Sequence, residues 1–280
     1  LERVNCRTFS AAFLAMLVIS FPRACPSEAS PPQPRGEEIM PGLEWVMWQG
    51  GDPRDACVVR VDPDLLIMRP LYFKDKGEAH PLTLRQWMEK SGANLIFNAG
   101  QYYPDYSYMG FLMSDGKPIK TKVHPIFQGM LLAEPLEATA PKAKILDLAE
   151  DPFDPSTPGY KEAAQSFMLF DRHGTIRVKR TSNLANRTVL VEQRDGKFLV
   201  VVTRVPFTLW ELAKALLEGP FPVRQAISMD GGDEAQIAIK SKDFSYAQAS
   251  GMVASELKET KPLPTVIGIF PRANPSTSSR

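Results

Sequence analysis

At 280 residues, with 44% hydrophobic and 23% charged side chains, the chain has the composition of a packed globular protein, which excludes a fibrous repeat and a disordered tail as its main character. Lys and Arg number 33 against 32 Asp and Glu, with no long run of either sign, so the electrostatic footprint of a DNA or RNA binder is missing. Length alone leaves one large domain or two small ones open.

Residues 1–29 differ from the rest. Arg3 and Arg7 precede an apolar run from Ala11 to Phe21, and the small residues Ser27 and Ala29 follow. That order is the layout of a secretory signal peptide, with cleavage expected near Ala29; the apolar run is short for a membrane-spanning helix. A secreted or periplasmic protein without stable membrane insertion is expected. Lipid attachment at Cys25 is an alternative, although Pro22-Arg23-Ala24 is a poor match to a lipid-attachment box. Residues 30–42 read as a Pro-rich linker, 43–271 as the folded domain and 272–280 as a polar tail. Cys6 and Cys25 fall in or beside the leader, which leaves Cys57 in the mature chain and no disulfide framework. Cys57, in Ala56-Cys57-Val58-Val59, reads as a small buried hydrophobe.

Strand signals run from Leu43 to Trp48 and from Ala56 to Phe73, broken by Gly50-Gly51-Asp52-Pro53 and by Asp62-Pro63-Asp64. Thr83-Leu84-Arg85-Gln86 fits a capping box, because the Thr oxygen can accept the N3 amide while the Gln side chain reaches back. The helix it starts is expected to stop at Gly92 and feed the strand Ala93 to Phe97, which ends at Asn98-Ala99-Gly100. The stretch from Ala133 to Tyr160 carries five prolines and reads as an irregular surface excursion. Further strands are expected over Phe167 to Phe170, Thr175 to Lys179, Arg187 to Glu192 and Lys197 to Thr203, with turns at Asp171 to Gly174 and Arg194 to Gly196.

Thr208-Leu209-Trp210-Glu211 repeats the capping-box pattern, and Leu209, Leu212, Ala213 and Leu216 recur at helical spacing until Gly219-Pro220. The next strand, Gln225 to Met229, ends at Asp230-Gly231-Gly232; Ile237 to Ile239 and Thr265 to Phe270 complete the sheet. The expected fold is α+β, a mixed and largely antiparallel β-sheet core with a few flanking helices. Each capped helix feeds a strand that ends in a polar turn, so two similar units are expected to face a shared cleft.

Polar residues at the exits of buried strands are held by a rigid sheet yet can face a cleft. Met229-Asp230-Gly231-Gly232-Asp233-Glu234 is such a turn, and Asn98 lies at another. His80, His124 and His173 sit in loops without metal-type spacing. No Gly-x-Ser-x-Gly elbow, P-loop or dinucleotide fingerprint occurs. Asn186-Arg187-Thr188 matches a glycosylation sequon but opens an expected strand, so it reads as structural and functional.

The order of Asn98-Ala99-Gly100-Gln101-Tyr102, Asp115-Gly116-Lys117-Pro118, Asn186-Arg187-Thr188, Asp195-Gly196-Lys197, Thr208 to Ala213, Met229-Asp230-Gly231-Gly232 and Leu263 to Gly268 resembles the phosphodiester glycosidase family, from about residue 80 to about residue 270. Asp233-Glu234 stand where the family carries Gly-Ser. The resemblance implies hydrolysis of a small-molecule or glycan phosphodiester, with Asp230, Asn98 and Glu234 as catalytic candidates. It implies substrate binding by Arg187, Gly100, Gly231, Gly232 and Asp233. An Arg guanidinium can bind phosphate oxygens through parallel hydrogen bonds, and phosphate leaves without the paired acids of ordinary glycoside hydrolysis. No cofactor is expected. Two other readings stay open: Ca²⁺ or Mg²⁺ held by the same acids in a metal-dependent phosphodiesterase, and a non-catalytic carbohydrate- or anion-binding protein on the same fold.

Overall fold

The computed structural model describes residues 36–48, 56–253 and 260–272. The expected leader, the Gly50 to Pro53 turn and all of the expected tail except Arg272 lie outside these residues. In chain order the elements are β1 (Gly36–Met40), β2 (Leu43–Val46), β3 (Ala56–Val61), β4 (Leu66–Tyr72), α1 (Leu84–Ser91), β5 (Leu95–Asn98), β6 (Leu112–Ser114), β7 (Lys117–Lys120), β8 (Gly129–Pro135) and β9 (Ala143–Asp147). They continue with β10 (Tyr160–Phe170), β11 (Thr188–Gln193), β12 (Phe198–Thr203), α2 (Leu209–Glu218), β13 (Val223–Ser228), β14 (Gln236–Lys240), β15 (Ser245–Ala249), β16 (Met252–Val253) and β17 (Thr265–Pro271).

The strands form two sheets with antiparallel pairing throughout. The larger runs β1-β2-β3-β12-β11-β13-β10-β6-β7, with β8 also on β10 and β9 on β8; the smaller runs β16-β15-β14-β5-β17-β4. Both sheets contribute to one core, where Val59, Leu190, Val200 and Ile227 join Ile96, Ile237 and Ile267. The alternate residues Val58, Val189, Val191, Leu199 and Val201 point the other way and pack with Leu212, Ala213 and Leu216 of α2. Central strands covered on both faces are apolar at nearly every position, which is why Ala56 to Val59 and Phe198 to Val202 read as unbroken runs; Arg60 of β3 is buried with Gln193 and Glu44 among its partners.

Both capping boxes are formed: Thr83 with Gln86 starts α1, and Thr208 with Glu211 starts α2. Helix α1 stops at Gly92, whose φ of 69° is the left-handed conformation that glycine adopts without a Cβ penalty. Each helix feeds a strand, α1 into β5 and α2 into β13, as the caps imply.

One expectation is narrowed and three need correction. The fold is dominated by its antiparallel sheets, and α1 and α2, of 8 and 10 residues, are the α-helices among the described residues. Residues 36–42 are not linker: β1 pairs with β2 along the sheet edge, so Glu37 faces Trp45. The Ala133 to Tyr160 stretch is not wholly irregular, because β9 lies within it and pairs with β8 from Gly129↔Asp147 to Ala133↔Ala143; its prolines lie outside the paired segment. Thr175 to Lys179 is not a strand. Its backbone makes a single bridge, Phe170↔Ile176, because Arg177 turns to the buried carboxylates of Asp147 and Asp171 at 3.0 and 3.3 Å.

Candidate active site

The ends of β5, β11 and β13 meet at one place. The Met229 N–H donates to the Thr188 carbonyl at 2.9 Å, and the Asp230 N–H donates to the Ala99 carbonyl at 3.1 Å. Beyond them the chain turns through a 3₁₀ segment, Gly232–Glu234. Gly231 has an extended backbone, with φ of −126°, and its need is steric. A Cβ there would lie 2.9 Å from the Asn186 carbonyl oxygen and 3.2 Å from Arg187 Nη1. Gly232 has the left-handed φ of 72° that favours glycine, and its N–H donates to Asn186 O at 2.8 Å.

Asn98 is 1% exposed and lies beneath this turn. Its Nδ2 donates to the Asp230 carbonyl at 2.9 Å and to Ala99 O at 3.2 Å. Its Oδ1 accepts from Thr188 Oγ1 at 2.6 Å and from the Gln236 N–H at 3.2 Å. Two carbonyls require donors and an N–H requires an acceptor, so these partners fix the amide's orientation. Asn98 thus spends its hydrogen-bonding capacity on the protein and braces the turn. Gly100 is also an inner position: its N–H meets Tyr108 Oη at 3.1 Å, that hydroxyl donates to Gln165 O at 2.7 Å, and a Cβ would fall 2.6 Å from Oη.

Arg187 is 9% exposed. Its Nε donates to Phe207 O at 2.9 Å and its Nη2 to Asn183 O at 2.6 Å. A guanidinium carries five N–H donors. Two backbone carbonyls therefore fix the plane of this one and leave the Nη1 side, next to Gly231, without a hydrogen-bond partner among the described residues. Burial holds the Arg187 pKa below its ordinary value, and the charge of Asp230 works in the opposite direction.

Asp230 is half-buried, and its Oδ1 accepts the Gly231 N–H at 2.9 Å. Burial, and after it the charge of Glu234, push its carboxyl up to about 6; the Gly231 N–H, Lys261 and Arg187 oppose them. Glu234 itself is engaged. It accepts from Tyr102 Oη at 2.8 Å and from Lys261 Nζ, whose pKa that hydrogen bond raises. Tyr102 is held above the usual phenol range by burial, with Glu234 adding to the effect. Asp233 is exposed, with Ser250 Oγ at 3.4 Å from its Oδ1.

Of the residues singled out in the sequence, Asp230, Glu234, Arg187, Gly231 and Gly232 converge on this turn. Asn98 and Gly100 lie under it, and Asp233 faces solvent. Tyr102 and Lys261 were not anticipated as site residues. Tyr102 stood in a recognised motif, but its partner is 132 residues away; Lys261 belongs to no motif and meets Glu234 across 27 residues.

The carboxylates whose oxygens converge within 4.8 Å among the described residues are Asp147, Glu150 and Asp171, away from the Asp230 turn. There Arg177 Nη1 already contacts Asp147 and Asp171, while Arg172 and His173 face Glu150 at 3.5 and 3.4 Å. Guanidinium charge does the neutralising work that a cation would do. The three acids of the 230–234 turn form no such group.

A model of the phosphodiester glycosidase family matches residues 91–270. The catalytic domain of zebrafish N-acetylglucosamine-1-phosphodiester α-N-acetylglucosaminidase, auto-inhibited by its pro-peptide, superposes with a TM-score of 0.59 at 15% identity, covering 86% of this chain and 87% of that one. A hypothetical protein from Synechocystis superposes with a TM-score of 0.58 at 12% identity, covering 83% of this chain and 62% of its own. At these identities the likeness is one of fold. No curated protein sequence matches. The match to the family model spans well over half the chain and contains every residue of the turn and its brace, and the chain belongs to the phosphodiester glycosidase family.

Proposed function

We propose that this protein is an exported hydrolase that cleaves a glycosyl phosphodiester, the bond between the anomeric carbon of a sugar and a phosphate that carries a second alcohol. The observation that carries the reading is the pairing, at one glycine turn, of a half-buried Asp230 with the open donor side of a fixed Arg187. The zebrafish enzyme's name identifies a sugar 1-phosphodiester as its substrate, which agrees with that chemistry. Export rests on the basic, apolar, small order of residues 1–29.

In the reaction the anomeric carbon to phosphate oxygen bond breaks and the departing oxygen carries the electron pair. Arg187 offsets that charge through N–H donors already aimed, so little reorganisation is needed as the charge develops. Asp230 in its ionised form acts on the carbon side, either taking a proton from the attacking water or attacking the anomeric carbon itself. A carboxyl that titrates near 6 is ionised at neutral pH yet basic enough to hold a proton. Asn98 holds the backbone that aims Asp230, and Glu234 sets the charge around it.

The test is release of free sugar from a panel of sugar 1-phosphodiesters by the mature domain, beside Asp230→Asn and with or without chelator. Turnover that the variant lacks and chelator leaves intact is expected. Turnover that chelator abolishes would replace the reading by the metal-dependent one. Saturable binding without turnover on any member would replace it by a binding protein.

A further inference from the structure

Arg187 touches the Gly231 turn and also lines a chamber of about 380 Å³. That volume falls at the lower end of small-molecule sites. Phe167 and Met168 of β10 form one wall, Leu209 at the start of α2 another, and Ile126 stands at the mouth, 67% exposed. The segment from Arg177 to Asn183 supplies the remaining side.

The walls are fixed. Phe167 packs in a tilted pair with Phe127, 4.2 Å between ring centroids, and Phe127 stacks at 4.0 Å on His124. The 177–183 segment is pinned at one end by Arg177, whose guanidinium is spent on Asp147, Asp171 and Gln128. Arg180 pins its middle, lying 4.2 Å over the Trp210 ring. Lys179, exposed at the edge of the chamber, has no acidic partner among the described residues. Apolar side chains dominate the lining, with the polar Gln128, Thr181 and Asn183 among them, and Arg187 and Lys179 add positive charge that no ion pair among the described residues takes up.

We propose that this chamber binds the second ester arm of the phosphate, and that the arm it takes is an apolar, aromatic alcohol. The phosphate sits against the Nη1 side of Arg187, and the ring lies on Phe167 with Leu209 and Ile126 closing over it. An anionic head on an apolar body matches a chamber with cations at its edge and hydrocarbon along its walls. A hydrophilic arm would leave the part-exposed Phe167 and Leu209 facing water. The assignment of the arm to the leaving side of a reaction rests on the hydrolase reading above; the affinity for an aryl phosphate does not.

Calorimetric titration of the purified protein with phenyl phosphate, methyl phosphate and inorganic phosphate tests it. None of these has a glycosyl bond, so binding is read apart from turnover. Phenyl phosphate is expected to bind roughly tenfold or more tightly than methyl phosphate, the effect of burying one ring. Ile126→Glu, a change at an exposed position that leaves the core untouched, is expected to remove most of that preference, and Phe167→Ala to remove it too. Arg187→Gln is expected to weaken phenyl and methyl phosphate alike. Equal affinity for the two esters, or a preference that survives both wall substitutions, would overturn the proposal. Preference without sugar release on any diester would sink the hydrolase reading alone, and sugar release without preference would sink the chamber alone.

Discussion

Asn98 Nδ2 donates to the main-chain carbonyl of Asp230 at 2.9 Å, so the last residue of one strand holds the backbone two residues past the end of another. The two positions are 132 residues apart. Because Oδ1 of the same amide takes Thr188 and Gln236, one side chain ties together β5, β11 and the start of β14.

Asn98→Ala is therefore expected to act on stability and activity together. It strands a buried hydroxyl, an N–H and a carbonyl, for a cost of about 2 to 4 kcal/mol. Asn98→Asp should be as damaging at neutral pH, since a carboxylate would face the Asp230 carbonyl with no proton to give. Denaturant midpoints for both variants check this; unchanged midpoints with activity alone lost would instead make Asn98 a substrate contact.

For Asp230 the folded pKa, near 6, lies above the ordinary 3.8. The native state then binds more protons than the unfolded chain between those values, so this group's contribution to stability falls as pH rises through the window. Asp230→Asn keeps an oxygen for the Gly231 N–H and removes the buried charge. It is expected to abolish turnover while raising stability above pH 6, on the order of 1 to 3 kcal/mol, with little gain near pH 4. Unfolding curves at the two pH values decide it.

Arg187→Lys keeps the charge but not the planar fork that Phe207 O and Asn183 O hold in place. A loss on the order of a hundredfold in kcat/KM is expected. Gly231→Ala is a finer probe. The φ of −126° admits alanine, so only the approach of the new methyl to Asn186 O and Arg187 Nη1 is at issue. It should cost about 1 to 3 kcal/mol of stability through crowding and reduce phosphate affinity. Titration with inorganic phosphate measures the second effect.

Local rules made much of this legible. The capping boxes at Thr83 and Thr208 are written within four residues, and both are formed. The unbroken apolar runs identified the central strands because both of their faces are covered. What local rules could not show is burial that depends on a distant partner. Glu162 lies within β10 at 0% exposure because Arg69 Nε and the Asp115 N–H meet its carboxylate. The strand pattern around it therefore looks broken when read along the chain. Thr175 to Lys179 failed in the opposite sense, since apolar alternation there serves the chamber and α2 and not a ladder. Asp230 and Asn98 were visible as polar residues at strand exits and Arg187 through the family resemblance, whereas Lys261 was invisible because its role exists only through Glu234.

That last pair gives the sharpest pH experiment. Asp230 is raised by Glu234 and lowered by Lys261 and Arg187. If ionised Asp230 does the work, activity rises with pH through its titration, and the acid limb of kcat/KM reports it. Glu234→Gln removes a negative neighbour and is expected to move that limb to lower pH. Lys261→Met removes a positive one and is expected to move it to higher pH. Tyr102→Phe, which deletes a hydrogen bond to Glu234 without changing charge, should lower kcat/KM and move the limb least. A merely structural role for the Tyr102, Glu234 and Lys261 cluster would lower activity at every pH and leave all three limbs at the wild-type position. Profiles measured on one substrate separate the two cases, because opposite shifts from opposite charges have no structural explanation.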